Sequence, residues 1–308
     1  MKKISFFLAI AVIVGLFFAC NQKKATAPQP VETKVQAPVA PVAPVDPNLV
    51  AQGPNETLIT SATDSTLKYV LVNRPQISLD SLVKGKDGFI TLFDGKTMNG
   101  WRGYNKDTIP GRWSIDKDHT LKLTGGGEGE AQDNTGGDLI FASKFKNFEL
   151  TFEWKMSKGA NSGIFVLAQE VKGQPIYISS PEYQLLDNEN HPDAKEGING
   201  NRKSASLYDM IPAVPQNAKP FGQWNTGSIK VYQGSVFYAQ NGKTVVEYHL
   251  WTPQWTNLLQ SGKFSQAKWP LAFELLNNCG GDNHEGYIGL QDHGNDVWFR
   301  NIKIKVTE

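Results

Sequence analysis

Hydrophobic and polar positions alternate in short runs over most of the chain. The run from Phe148 to Met156 (Phe-Glu-Leu-Thr-Phe-Glu-Trp-Lys-Met) places an apolar side chain at every second position, the period of a half-buried strand. Beyond Gly85, similar runs are separated by Gly, Asn, Asp and Pro. They predict strands at Phe89 to Phe93, Gly111 to Ile115, Thr120 to Leu123, Asp138 to Phe141, Phe148 to Met156, Ser162 to Leu167, Glu182 to Leu186, Trp224 to Tyr232, Ser235 to Gln240, Thr244 to Tyr248, Tyr287 to Gln291 and Val297 to Val306. Asn241-Gly242 marks the clearest hairpin turn. Helices are expected to be few and short, and the pattern is that of an antiparallel β-sandwich.

The first residues follow a different rule. Lys2 and Lys3 precede an apolar run, Ile4 to Ala19, too short to span a bilayer and placed as an export signal is placed. It ends Leu-Phe-Phe-Ala-Cys, which resembles a bacterial lipobox, so Cys20 is expected to carry lipid and anchor the protein to a membrane. No acidic cluster follows Cys20, which favours the cell envelope of a Gram-negative bacterium, at the outer membrane facing the periplasm. Residues 21–50 are rich in Pro and Ala and predict an extended tether. Residues 51–84 form an N-terminal extension with one predicted strand, Leu67 to Val72, and no assigned role. The sandwich domain is expected over 85–308.

Composition narrows the function. Lys and Arg total 31 against 30 Asp and Glu, a net charge of +1, so no global field gathers polyanions and a nucleic-acid partner is not expected. Eight Trp, nine Tyr and sixteen Phe supply ample core area. With Cys20 and Cys279 alone, no disulfide framework holds the fold. The glycine run Gly125 to Gly129 lacks the helix and the downstream acidic residue of a dinucleotide loop.

Several segments, in order, resemble one known family. They are Gly88-Phe-Ile-Thr-Leu-Phe-Asp-Gly-Lys96, Asn99-Gly-Trp101, Phe148 to Lys155, Asn161-Ser-Gly-Ile-Phe165, Pro181-Glu-Tyr-Gln-Leu-Leu-Asp-Asn188 followed by His191, Gly286 to Gly294, and Val297 to Ile302. The sequence is similar to the 3-keto-disaccharide hydrolase domain family from about Gly88 to Lys305. The resemblance implies a concanavalin-like jelly-roll sandwich of two antiparallel sheets. It also implies hydrolysis of 3-keto-glycosides by removal of the C2 proton, elimination of the glycosidic oxygen and addition of water. Such chemistry needs a base near C2, donors to the developing enolate oxygen, and an acid for the leaving group.

Strand parity supplies candidates. On 182–187, Glu182 and Gln184 share one face and Tyr183, Leu185 and Asp187 the other; if Tyr183 and Leu185 enter the core, Glu182 and Gln184 face an open groove. Glu182, Asp187 and His191 form the candidate catalytic set, with base and acid left open between Glu182 and His191. An Asx turn at Asp187 and Asn188 is the structural alternative. Gln184, Gln291, His293, Arg300 and Tyr208 are candidate substrate ligands, with Trp101 the leading ring for stacking on sugar among Trp224, Trp251, Trp255 and Trp269. For His293 a purely structural role, and for Arg300 a pairing with an acidic neighbour, are the alternatives. A divalent cation held by Asp187, Glu189, His191 or Asp193 would serve the same chemistry, but the spacing matches no metal motif and no metal or other cofactor is assigned. Two other functions compete: a noncatalytic carbohydrate-binding lipoprotein with the same platform, and a glucanase-like hydrolase, whose closely spaced same-face carboxylates are missing from this strand.

Overall fold

The computed structural model describes residues 53–126 and 135–308. The export signal, Cys20, the tether and most of the glycine loop lie outside the described residues. The strands are β1 (Glu56–Thr60), β2 (Lys68–Val72), β3 (Ile90–Thr91), β4 (Trp101–Gly103), β5 (Trp113–Ile115), β6 (Leu121–Leu123), β7 (Leu139–Phe141), β8 (Phe148–Met156), β9 (Asn161–Ala168), β10 (Glu182–Leu186), β11 (Asn225–Tyr232), β12 (Ser235–Gln240), β13 (Lys243–His249), β14 (Tyr287–Leu290) and β15 (Val297–Val306). Between β13 and β14 lie two short helices, α1 (Pro253–Ser261) and α2 (Pro270–Asn277). Each carries Pro in its first turn, where the missing N–H costs nothing, and Thr252 caps α1 by accepting from the Trp255 N–H.

The strands form an antiparallel jelly-roll sandwich. An eight-stranded sheet runs β13-β12-β11-β8-β15-β6-β5 with β3 on β15, and a five-stranded sheet runs β10-β9-β14-β7-β4. The core lies between them: Tyr183 of β10 meets Phe152 of β8 edge-on at 5.4 Å and Tyr238 of β12 at 5.0 Å. Tyr183 thus enters the core, which meets the condition under which Glu182 and Gln184 face away from it, and the predicted strands Phe148 to Met156, Glu182 to Leu186, Ser235 to Gln240 and Val297 to Val306 match their observed bounds.

The described part of the extension before residue 85 packs against the sandwich. β1 and β2 form a hairpin whose Val70 and Val72 are buried, and the Val72 N–H donates to Glu170 O at 2.9 Å. Beside it, Arg102 of β4 forms a two-pronged ion pair with Glu170 (2.7 and 2.6 Å), which Arg74 from the extension joins at 3.0 Å. Removing the extension would therefore uncover apolar surface and strip one partner from a buried carboxylate.

The two sheets differ in how their outer faces are treated. Along β8 burial alternates strictly, whereas every residue of β9, β10 and β14 is buried. The reason is a second layer. A 3-10 turn, Ile176–Ile178, lies on the outside of the small sheet so closely that a Cβ at Gly289 would collide with Ile176 Cδ1. Residues 205–208 pair with the free edge of β10 through Ala205 N–H to Gln184 O (2.7 Å), Gln184 N–H to Ser206 O (3.1 Å) and Tyr208 N–H to Glu182 O (3.1 Å). This pairing satisfies an otherwise open edge and turns the sheet's outer face into the floor of an enclosed space.

Candidate functional site

Antiparallel register decides what that floor presents. Gln184 pairs with Gly163, Glu182 with Phe165 and Leu186 with Asn161, so Glu182, Gln184 and Asn161 all point outward on one face. Gly163 is what lets Glu182 lie there: a Cβ at this position would strike the Glu182 side chain, with its Cγ and Cδ only 2.9 Å away. At the neighbouring strand end, the Gln291 N–H donates to Gly163 O at 2.9 Å and its carbonyl accepts from Ser162 Oγ at 2.9 Å. Buried Asp292 then folds the chain back, accepting the N–H groups of Gly137 (2.9 Å) and Gly294 (3.0 Å), and so carries Gln291 and His293 onto the same face.

Asn161, Tyr177, Glu182, Gln184, Tyr208, Lys263, Gln291 and His293 line the resulting cavity. It holds about 330 Å³ of empty space including its open mouth. The site is thus a narrow polar pocket, not the open groove expected from the sequence, because the second layer roofs the small sheet. Among the described residues, Asn161 Oδ1, Gln184 Oε1, Gln291 Oε1 and His293 Nδ1 are buried without a hydrogen-bond partner. Four such atoms around one cavity are a costly arrangement that a polar ligand would relieve.

The titratable groups are tuned by the same enclosure. Burial, with a smaller contribution from neighbouring His191, lowers the His293 pKa to about 4, so its imidazole is neutral at neutral pH. His191 stands behind it, with the rings 6.0 Å apart and edge-on, and its Nδ1 accepts from the Asp193 N–H at 3.1 Å, which leaves Nε2 to carry the proton. Burial lowers the His191 pKa, opposed by the charges of Asp193 and Asp187. Tyr208 is a neutral phenol, pushed well above its usual range by burial and then by Asp193. Asp193 and Asp209 are themselves engaged by Arg202 at 2.8 and 2.6 Å.

Other sequence candidates lie elsewhere. Asp187 accepts from Gly159 N–H, Glu189 N–H and Asn190 Nδ2 (2.8, 3.2 and 2.8 Å), so it shapes the turn after β10 and does not reach the cavity. Arg300 lies on the large sheet, paired with Glu153 at 2.7 Å and stacked 4.0 Å from the Trp224 ring. Trp101 is core: its indole N–H donates to Leu92 O at 2.7 Å and its ring meets Phe141 at 5.3 Å. Trp251 is stacked on His284 and Trp255 is buried against Tyr248. No group of three or more His, Cys, Asp or Glu suited to a metal occurs among the described residues. The sequence reading missed Asn161, Tyr177 and Lys263. Asn161 sits in a segment already singled out, but the other two arrive from loops whose positions no local pattern encodes.

A larger hollow, about 300 Å³ to water-sized spheres, lies at the N-terminal hairpin beside Arg74, Arg102 and Asp107. Its charges are already committed to one another and to Glu170.

Comparison with known proteins places this arrangement. A protein of Bacteroides thetaiotaomicron named 3-keto-disaccharide hydrolase is 56% identical over 318 residues, covering 100% of both chains. A crystal structure of a candidate glycosyl hydrolase from Parabacteroides distasonis is 27% identical with a TM-score of 0.62, covering 73% of this chain and 99% of that one. A second structure from the same organism, also of a candidate glycosyl hydrolase, is 27% identical with a TM-score of 0.50, covering 68% and 100%. The model of the 3-keto-alpha-glucoside-1,2-lyase-like domain matches residues 88–305, and with a cavity built from that same stretch the chain belongs to this family.

Proposed function

We propose that this protein is a carbohydrate hydrolase that cleaves 3-keto-disaccharides by elimination and hydration, with Glu182 as the base. The observation that carries the reading is the composition of the cavity: one carboxylate, Glu182, with three amides, one imidazole, two phenols and one ammonium, the amide oxygens and the imidazole Nδ1 lacking a partner. Direct glycoside hydrolysis through an oxocarbenium-like state ordinarily requires two carboxyl groups flanking the bond. A single carboxylate suffices when a ketone at C3 already acidifies the hydrogen on C2. Glu182 removes that proton, and the electron pair moves into the C2–C3 bond and onto the ketone oxygen as an enolate. Its return expels the glycosidic oxygen from C1, and the proton on Glu182 balances the charge that leaves. Water then adds at C1 of the enone while C2 is reprotonated, which restores the ketone and completes a net hydrolysis.

Asn161, Gln184 and Gln291 fit the role of hydroxyl ligands, because each amide offers both donors and an acceptor. Neutral His293 brings an unpartnered Nδ1 to the same cavity. The name of the B. thetaiotaomicron relative supports the substrate class. The lipobox-like sequence at Cys20 supports a membrane-anchored protein acting in the cell envelope.

The test uses 3-keto-trehalose and plain trehalose with the purified protein, following glucose release. Turnover of the keto sugar alone is expected, and Glu182→Gln should lower it by about 100-fold or more without unfolding the protein. Binding of either sugar without turnover would mark a capture protein instead.

A further inference from the structure

We propose that Lys263 is a catalytic residue of this site, its ammonium donating to the C3 ketone oxygen as that oxygen becomes an enolate. The inference rests on the keto-sugar reading above and supplies the electrophile which that reading lacks.

Lys263 follows α1, on the segment that leads into α2, and lines the same cavity as Glu182. Its ammonium lies 4.3 Å from the centre of the Tyr208 ring, 4.9 Å from Phe264, and 6.0 Å from both Tyr177 and Trp269. Four aromatic faces hold the charge by attraction to their π-electrons but accept no conventional hydrogen bond. The structure gives this ammonium no hydrogen bond and no ion pair among the described residues. A lysine carries three N–H donors and no acceptor, so a polar-lined cavity here faces donors that remain unspent. A charge-assisted hydrogen bond to an incoming oxygen is the strong contact this ammonium still has to make.

The fit to a ketone is chemical. A carbonyl oxygen only accepts, and the negative charge it gains on loss of the C2 proton is what a donor-only cation stabilises; the interaction is thus stronger in the transition state than in the bound substrate. Glu182 comes from β10 and Lys263 from the segment between α1 and α2, so base and electrophile reach one cavity from distant parts of the chain.

The surrounding charges set the working range. Burial lowers the Lys263 pKa, while Asp209 and Glu182 raise it, Arg202 lowers it and Asp193 raises it, leaving it below the ordinary value of 10.5. The active form is the ammonium, so its contribution is lost as pH rises through that lowered pKa.

Lys263→Met keeps a long apolar stem inside the aromatic cage and removes the charge, and Lys263→Arg keeps the charge without titrating. With 3-keto-trehalose, Lys263→Met is expected to lower kcat by about 100-fold or more while KM changes by less than about threefold. Exchange of the C2 hydrogen in D2O, read by NMR, should fall in parallel. Lys263→Arg should recover part of kcat and lose the alkaline fall in rate expected of the wild-type protein. A Lys263→Met protein with kcat within about threefold of wild type, or with unchanged C2 exchange, would overturn the assignment and leave the keto-sugar reading standing. A wild-type protein that neither cleaves the keto sugar nor exchanges its C2 hydrogen would overturn both.

Discussion

The two sheets of this sandwich share one core yet face opposite fates on their outer sides. The eight-stranded sheet leaves its outer face to water, and its charges lie there in cheap contacts: Arg300 and Glu153 pair with side chains 42% and 24% exposed. The five-stranded sheet is roofed, and its edge charges are locked away: Arg102 and Glu170 pair with side chains 10% and 0% exposed. The difference shows where this fold places chemistry. A solvated sheet face screens every charge on it, whereas a roofed face strengthens electrostatic interactions and leaves polar atoms wanting a partner. The candidate site therefore belongs to the sheet that looks, strand by strand, like plain core.

Matched substitutions test that contrast. The largest effect is expected from Arg102→Met, which leaves the Glu170 carboxylate buried with only Arg74 and the Asn105 N–H as partners and should destabilise the fold by about 3 kcal/mol or more in chemical denaturation. A loss below 1 kcal/mol would mean that water reaches Glu170 and that the small sheet is not sealed at this edge.

Two glycines sharpen the comparison next. In Gly163→Ala the new methyl group meets the movable Glu182 side chain, so turnover should fall about 10- to 100-fold while stability changes little. In Gly227→Ala, on the large sheet, it meets the buried Phe152 ring instead, so stability should fall by about 1–3 kcal/mol with turnover of the folded protein unchanged. Equal effects of the two on activity would remove Gly163 as the residue that makes room for the carboxylate. The smallest effect belongs to Arg300→Met, expected to cost less than about 1 kcal/mol and to leave kcat and KM alone. A loss of activity there would bring Arg300 back as a substrate ligand by way of a face that the cavity does not touch.

Much of this molecule was legible in one dimension. Period-two alternation defined β8 and β12 to the residue because each buries one face and wets the other, and parity placed Glu182 with Gln184 on one face of β10 and Tyr183 on the opposite one, leaving the structure to show which is inward. Short strands such as β4, with all three residues buried, offered no alternation to read. Trp101 and Arg300 show the limit of residue type as a guide: an indole suits a sugar ring and a core equally, and only its neighbours decide.

Sequence by itself determined the strand periods, the glycine and proline punctuation and the segments that define the family, since these are local properties of the chain. Tertiary structure alone decided that the outer face of the small sheet is covered, that Asp187 serves its own turn, and that a lysine more than 80 residues beyond Glu182 lines the same cavity. The physical reason is that a side chain's direction follows from its own backbone, whereas its partners and its solvent are supplied by segments that pack against it from far along the chain.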